Sequence, residues 1–289
     1  MPETMREVTG DGGVRLAVRD LRGPAAGAPT LLMHHGLASS QRIWDLVLPR
    51  LTTHHRAVTY DARGHGRSGK PSSGYGFDRT VADLLAVARG RRAGRPVLVG
   101  HSWGAMVALE AAAAHPRAFA GVVLVDGGVT PMRESFPSWS AAKEALAPPH
   151  LAGMPVEEFR GLMRTFLAEA LEVTPDIEDI VLSVMRVDRH GRIRPRLSRA
   201  NHFRILHAIW RQDPLGLHAR LRVPTLAILA HRPGHDDDWA RAKREAARRL
   251  RETGTPTRIS WIEGIHDVPL QHPDALASSI RRFSRSAVR

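Results

Sequence analysis

The sequence predicts an α/β fold in which a mostly parallel sheet carries helices on both faces. Two observations lead to this prediction: short apolar runs alternate with segments of helical periodicity, and turn residues separate them. The runs expected to form strands occupy residues 29–36, 56–64, 96–102, 120–128, 223–231 and 257–264. A hairpin is expected before them, where Glu7–Thr9 and Val14–Val18 flank an Asp-Gly-Gly turn.

Helical periodicity fills the spaces between these strands. Apolar residues recur at helical spacing in 41–53 and 238–252, and a last helix is expected to begin at Pro273. Residues 131–215 interrupt the alternation, because they combine several prolines with helical patterns and show no convincing strand. We therefore expect a helical cap at 131–215, inserted between core segments 1–130 and 216–289.

Composition narrows the class of protein further. The chain has 289 residues, 43% of them hydrophobic and 25% charged, which is ordinary for a globular protein. It has no cysteine, which excludes disulfides and thiolate metal sites. The net charge of +13 comes from arginines spread along the chain, whereas a nucleic-acid surface concentrates its charge. No signal peptide or membrane span is evident, so we expect a cytoplasmic protein without nucleic-acid or membrane partners, of unknown oligomeric state.

The clearest chemical motif is Gly100-His101-Ser102-Trp103-Gly104, which matches G-x-S-x-G. An apolar strand pattern precedes it and a helical pattern follows it, so the serine is expected on a sharp turn with its hydroxyl clear of the sheet. A serine acts as a nucleophile only with a base, an orienting acid and two donors for the developing oxyanion. The backbone N–H groups of Trp103 and Leu37 are the expected donors, since Leu37 follows the strand at 29–36.

Five segments resemble consecutive landmarks of the α/β-hydrolase family with a helical cap. In chain order they are HHGLASSQRIW, DARGHGRSGKP, GHSWGAMVALE, VLVDGG and GIHDVPLQHP. The resemblance covers nearly the whole chain and implies an eight-stranded, mostly parallel α/β-hydrolase sheet. It also implies a Ser–acid–His triad that works without a cofactor.

His266 is the predicted general base. It follows the last predicted strand and Gly264, and the family resembles this in placing its catalytic histidine in a G-x-H segment there. The carboxyl ends of the parallel strands should bring His266, Ser102 and Leu37 together. The usual near-neutral pKa of a histidine suits this task.

The acid departs from the commonest family pattern, because the stretch after strand 223–231 lacks a carboxylate at the usual place. Asp126, which ends strand 120–128 before two glycines, is the favoured candidate. Some relatives, including lactone-cleaving and dehalogenating members, carry their acid after this strand. Asp236, Asp237 and Asp238 remain alternatives, although helix capping explains carboxylates at the start of a helix.

No metal site is expected. His231 and His235 have suitable side chains, but Pro233-Gly234 between them prevents the helical spacing that paired metal ligands use. For the substrate we expect contacts from His35 and Gly36 beside the serine, and from the cap residues Trp139, Met163 and Trp210. A cap rich in methionine and aromatic residues suits an apolar substrate.

The leading hypothesis is a serine hydrolase for a carboxylic ester or lactone of a small, largely apolar molecule. The same triad also allows hydrolysis of a thioester or of a carbon–carbon bond. A ligand receptor with negligible turnover is the alternative from another class, since fold alone does not fix function.

Overall fold

The structure of the chain, a computed structural model, describes residues 3–24, 29–234, 236–252 and 254–287. These residues form two sheets. Their strands are β1 (Glu3–Thr9), β2 (Arg15–Leu21), β3 (Leu31–His34), β4 (Ala57–Tyr60), β5 (Val97–His101), β6 (Gly121–Val125), β7 (Met185–Val187), β8 (Ile193–Pro195), β9 (Thr225–His231) and β10 (Thr257–Glu263).

The main sheet has eight strands in the order β1-β2-β4-β3-β5-β6-β9-β10. β1 and β2 pair antiparallel, as do β2 and β4, and the remaining neighbours are parallel. The predicted fold class is confirmed, and so is the hairpin, whose two strands are joined by a 3-10 turn at Asp11–Gly13. The central strands are buried on both faces, as parallel strands covered by helices are.

Helices occupy both faces of this sheet and the segment between β6 and β9. The α-helices of the described residues are α1 (Leu48–Leu51), α2 (Phe77–Gly90), α3 (Trp103–Ala114), α4 (Met132–Ser135), α5 (Trp139–Ala145), α6 (Val156–Ala168), α7 (Pro175–Leu182), α8 (Arg199–Arg211), α9 (Pro214–Arg220), α10 (Asp238–Glu252), α11 (Val268–Gln271) and α12 (Pro273–Ala287). Within the ranges described, no helix combines the length and apolar content needed to cross a bilayer.

The hydrophobic core has two layers because side chains alternate between the faces of each strand. One layer contains Leu98 and Leu124 and packs against α2, α3 and α10. The other contains Val99 and Val125 and packs against α1 and α12. Each fully buried aliphatic side chain contributes about 1.5–3 kcal/mol relative to an exposed one. The two layers therefore hold the strand ends, and the residues that follow them, in a fixed frame.

Two local predictions were wrong. Residues 41–53 do not form one helix: a 3-10 turn at Gln41–Trp44 and the short α1 replace it. Pro49 lies in the first turn of α1, where its missing N–H does no harm, whereas a longer helix would place it in the interior. The segment 131–215 does contain strands, since β7 and β8 pair as an antiparallel hairpin. Three-residue strands are too short to show an alternating pattern.

Residues 131–215 are tied to the rest of the molecule by hydrogen bonds at several points. Asn201 Nδ2 donates to the Tyr75 hydroxyl at 2.8 Å. Gln212 Nε2 donates to the carbonyl oxygen of Met106 at 3.2 Å, and α8 packs against α4 and α5. These contacts fix α8 beside the helix that follows Ser102.

Candidate active site

Ser102 lies between β5 and α3 in a strained backbone conformation. Its φ is 56° and its ψ is −120°, a region that residues other than glycine rarely adopt. The flanking glycines permit this turn by their lack of a side chain. A Cβ at Gly100 would lie 2.2 Å from the carbonyl oxygen of Gly104, and a Cβ at Gly104 would lie 2.4 Å from that of His34. The G-x-S-x-G spacing is therefore required by close backbone contact.

Two backbone donors lie beside the serine. Leu37, Ser102 and Trp103 line one cavity of about 260 Å³, which we call the serine cavity. Among the hydrogen bonds of the described residues, none uses the N–H of Leu37 or the N–H of Trp103. Both amides are thus free to donate to a ligand. Gly36 keeps the loop close to the serine, because a Cβ there would lie 3.1 Å from Ser102 Cβ.

Two buried histidines hold the loop that carries Leu37. His35 Nδ1 donates to the carbonyl oxygen of Gly36 at 2.7 Å, and His35 Nε2 accepts the Ala62 N–H at 3.0 Å. His65 Nε2 accepts the Ala38 N–H at 3.2 Å, and its Nδ1 lies 2.9 Å from the Arg63 carbonyl oxygen. Each ring therefore needs one protonated and one bare nitrogen. Burial lowers the pKa of both histidines to about 3, which keeps them neutral.

His266 contacts Asp126 directly. His266 Nδ1 lies 2.7 Å from Asp126 Oδ2, and the carboxylate is buried while the imidazole is 52% exposed. Desolvation acts to lower the pKa of His266, but the hydrogen bond and charge of Asp126 outweigh it and raise that pKa above its usual value. Burial likewise acts to raise the pKa of Asp126, and the bonds and charges of His266 and Lys243 reverse this, lowering it to about 2. The pair is therefore a charged carboxylate holding a basic imidazole.

Asp126 owes its position to the end of β6. Its N–H donates to the Ile228 carbonyl oxygen at 2.8 Å, and its φ of 43° turns the chain sharply. Its second oxygen, Oδ1, accepts the Ala230 N–H at 2.9 Å and a bond from Lys243 Nζ at 2.7 Å. Lys243 was not predicted as a site residue, because it lies among several arginines on α10.

The alternative acids are bonded to other partners. Asp237 Oδ1 accepts the Ala240 N–H at 2.7 Å, which is a helix-capping bond at the start of α10. Asp236 pairs with Arg241 and Arg244, and Asp238 pairs with Arg241. Of the four candidate carboxylates, Asp126 is the one bonded to His266.

Ser102 and His266 both line the serine cavity, together with the two free amides. In the described part of the chain, no hydrogen bond joins the Ser102 hydroxyl to the imidazole. Catalytic hydrogen bonds are often long in ligand-free enzymes and tighten when substrate binds. His101 contacts both the backbone and the ring of His266. Its Nε2 lies 2.9 Å from the His266 carbonyl oxygen, and the two ring centroids are 4.9 Å apart.

The rest of the serine cavity is mostly apolar. Its apolar lining consists of Leu37, Met106, Val129, Met132, Leu146, Leu206, Ile209 and Leu229. None of the five residues predicted to bind substrate is among the described residues that line this cavity. His35 is bonded within the loop, and Gly36 lies behind Ser102. The three predicted residues of segment 131–215 pack against other side chains of that segment: Trp139 packs against His207 and Trp210, and Met163 packs in a small cluster with Phe159.

The described residues contain no cluster of three or more histidine, aspartate and glutamate side chains that could hold a metal ion. His235, one of the two histidines considered as metal ligands, lies outside the described residues. His231 packs edge-on against Trp261.

Known proteins resemble this chain over most of its length. A family model described as the alpha/beta hydrolase family matches residues 31–279. The chain is 28% identical to a non-heme chloroperoxidase of Streptomyces lividans in an alignment 296 positions long. The alignment covers 98% of this chain and 100% of that protein. A segment of 115 residues is 33% identical to 2-(acetamidomethylene)succinate hydrolase of Mesorhizobium japonicum and spans 40% of each chain.

A solved structure shares the fold. The crystal structure of E-2-(acetamidomethylene)succinate hydrolase matches 98% of this chain and 99% of its own with a TM-score of 0.77. The sequence identity in that match is 24%, so this likeness concerns the fold alone.

Proposed function

The chain belongs to the alpha/beta hydrolase family, and from that premise we propose that it is a cofactor-free serine hydrolase. Its substrate is a carboxylic ester or lactone of a small, largely apolar molecule. The observation that carries this proposal is the 2.7 Å bond between His266 and Asp126 beside a cavity lined by Ser102 and two free backbone amides.

In the proposed reaction, Ser102 Oγ attacks the substrate carbonyl carbon while His266 Nε2 takes its proton. Nε2 is free for this step because Nδ1 is bonded to Asp126. Asp126 fixes the orientation and tautomer of the ring and stabilises the imidazolium that forms. General base catalysis of this kind contributes roughly 10²–10⁴-fold to the rate.

The carbonyl oxygen becomes negatively charged in the tetrahedral intermediate. The N–H groups of Leu37 and Trp103 are the proposed donors to it, since neither is used within the described residues. Such donors stabilise the transition state without having to reorganise, and the loss of one costs about 10²–10³ in kcat. His35 and His65 hold one of the two donors in place.

The intermediate then collapses and the alcohol leaves with the proton that His266 returns. Water, activated by the same imidazole, attacks the acyl group on Ser102 and releases the acid. The size and apolar lining of the serine cavity favour a short or compact acyl group.

A fluorophosphonate probe and a set of p-nitrophenyl esters test this function. We expect stoichiometric labelling of Ser102, turnover of short-chain esters, and loss of both in Ser102→Ala. Ser140→Ala is the matched control, because Ser140 lies in α5 and lines none of the cavities at the site. It should keep wild-type labelling and turnover.

Other outcomes select the alternatives. Faster turnover of acyl thioesters than of matched oxygen esters would identify a thioesterase with the same triad. Cleavage of a diketone with no ester turnover would identify a carbon–carbon hydrolase. Labelling of Ser102 with no turnover of any of these substrates would contradict the enzymatic proposal and favour a receptor.

A further inference from the structure

A larger cavity of about 660 Å³ adjoins the serine cavity, and we call it the outer groove. It is lined by residues of α10, of the end of α6 and of the loop that carries His266. Four residues line both spaces: Asp126, Trp239, Lys243 and His266. Ser102 and the two free amides line the serine cavity only. The two spaces therefore meet at His266 and the other three shared residues.

The proposed reaction requires a definite orientation of the substrate across these two spaces. The carbonyl oxygen must point to the amides of Leu37 and Trp103, and the leaving oxygen must lie close to His266, which returns the proton to it. The imidazole is half exposed and lines the outer groove. Consequently the acyl half of the substrate belongs in the serine cavity and the alcohol half in the outer groove.

The walls of the outer groove indicate the chemistry of that alcohol. Phe166 on α6 is 68% exposed and Trp239 on α10 is 38% exposed, although both are large apolar side chains. Trp261 of β10 adds a third aromatic ring. Exposed apolar side chains that share one groove are typical of a ligand site.

Charge does not select an ionic ligand here. Within the described ranges, two arginines and three carboxylates line the groove without an ion-pair partner: Arg232, Arg251, Glu169, Asp237 and Asp267. These opposite charges nearly cancel. An uncharged aromatic group fits the lining better than an anion or a cation.

On the basis of the proposed function, we propose that the outer groove binds the alcohol half of the substrate and that this half is aromatic and uncharged. The substrates are then aryl or arylalkyl esters of short acids. In the acylation step the Ser102 Oγ–carbon bond forms and the ester carbon–oxygen bond breaks. The proton taken from Ser102 passes through His266 to the departing oxygen, and the alcohol leaves through the groove.

The test keeps the acetyl group constant and varies the alcohol. Wild type, Phe166→Ala and Leu162→Ala are assayed with 2-naphthyl acetate and ethyl acetate. Leu162 is the matched control, because it lies on the same helix, is also exposed, and lines neither cavity. We expect Phe166→Ala to lower the preference for 2-naphthyl acetate by about 3–10-fold, the size of one aromatic contact, and Leu162→Ala to keep the wild-type preference.

An equal effect of Phe166→Ala on both esters, or no effect on either, would overturn the assignment of the groove. These results leave the proposed function standing, since Ser102 still turns over acetate esters. Failure of the proposed function is recognised separately, because wild type would then hydrolyse neither ester.

A second inference rests on the independent contact between Lys243 and Asp126. Lys243 Nζ donates to Asp126 Oδ1 at 2.7 Å and to the Ala230 carbonyl oxygen at 2.9 Å, and its side chain is 13% exposed. Together with the Ala230 N–H, it occupies one carboxylate oxygen and leaves the other for His266. The structure assigns Lys243 the role of a positioning residue, which holds Asp126 in the orientation that His266 needs.

The charge of Lys243 also affects the imidazole. Four groups face His266: Asp126 from the end of β6, Asp267 from its own loop, Lys243 from α10 and His101 from the end of β5. The two carboxylates raise the pKa of His266, and Lys243 lowers it. Without the ammonium group, the imidazole should hold its proton to higher pH.

The pH profile of kcat/KM for p-nitrophenyl acetate tests this role. In Lys243→Met the acid limb should move to higher pH by about 0.5–1.5 units, the size of one nearby charge at surface dielectric constants. Lys243→Arg should return it toward the wild-type position. Lys143→Met makes the same substitution on α5, at a residue that lines neither cavity, and should leave the limb in place. An unmoved limb in Lys243→Met, or an equal shift in Lys143→Met, would overturn the inference.

Discussion

The two sides of Ser102 place histidines in opposite electrostatic environments. On the Leu37 side, His35 and His65 are buried and bonded to backbone groups, and burial lowers their pKa to about 3. On the other side, His266 is half exposed and bonded to Asp126, and its pKa rises. A buried histidine that is bonded to backbone groups stays neutral, whereas one bonded directly to a buried carboxylate becomes more basic. Two protonation behaviours are thus set by environment within one site.

The largest expected effect comes from removing the charge that distinguishes the two sides. Asp126→Asn should lower kcat by about 10³–10⁴-fold, because the imidazole loses both its orientation and the support of its positive charge. The measurement is turnover of p-nitrophenyl acetate, with the melting temperature recorded to verify folding. Asp237→Asn is the matched control, since Asp237 caps α10 and is not bonded to His266. Loss of turnover in Asp237→Asn alone would show that Asp237, and not Asp126, is the acid.

Acidification should destabilise the fold through its buried, neutral histidines. The pKa values of His34, His35 and His65 are about 3, and that of His101 is about 4, all below the unfolded value of 6.5. The unfolded chain therefore binds more protons, so stability is fully present above pH 6.5 and is lost as the pH falls toward these folded values.

Protonation of a buried histidine of this kind should lower the unfolding free energy by roughly 1 kcal/mol per pH unit below 6.5. His266 acts in the opposite direction, because its raised pKa stabilises the fold below pH 6.5 and this gain is lost as the pH rises through its folded value. Urea unfolding at pH 7.5, 6.5 and 5.5 measures the balance. A urea midpoint that stays constant over this range would contradict the conclusion that these histidines are buried and neutral.

A single brace can be removed directly. His35→Phe keeps a ring but leaves the Ala62 N–H and the Gly36 carbonyl oxygen without their partners. We expect a loss of about 2–4 kcal/mol in unfolding free energy, since each unsatisfied buried group costs about 1–3 kcal/mol. The exposed His115→Phe serves as control and should change stability by less than about 0.5 kcal/mol. Equal destabilisation by the two variants would show that the two hydrogen bonds of His35 do not stabilise the fold.

The smallest expected effect concerns the turn that both sides share. Ser102→Gly should stabilise the protein by about 1 kcal/mol, because glycine tolerates φ of 56° and ψ of −120° without strain. The extra chain entropy that glycine loses on folding offsets part of this gain. Ser102→Ala keeps the Cβ and should keep wild-type stability. Urea unfolding of the two inactive variants compares them. A Gly variant no more stable than the Ala variant would show that the turn stores no strain.

The residues of the charged side can be located from the sequence, because they lie at strand ends. Ser102, Asp126 and His266 each follow an apolar run, and the carboxyl ends of parallel strands meet at one edge of a sheet. The predicted roles of these three residues remain proposals, but their placement at one site follows from the fold. The neutral side was harder to predict, since His35 resembles a ligand-binding residue until its two backbone partners are known.

What the sequence left open depends on the packing of helices. Lys243 lies among arginines on α10, and nothing in that periodic pattern tells which cation turns inward. The predicted substrate contacts Trp139, Met163 and Trp210 failed to reach the serine cavity for the same reason, because an amphipathic pattern shows that a face is buried but not against which neighbour. The hairpin of β7 and β8 escaped notice because each strand has only three residues.

The most direct test of the account is pre-steady-state hydrolysis of p-nitrophenyl acetate, followed by mass analysis of the quenched enzyme. We predict a burst of about one p-nitrophenolate per active site and an acetyl group on the peptide that contains Ser102. Steady turnover without a burst, together with acetylation at another residue or in Ser102→Ala, would contradict it.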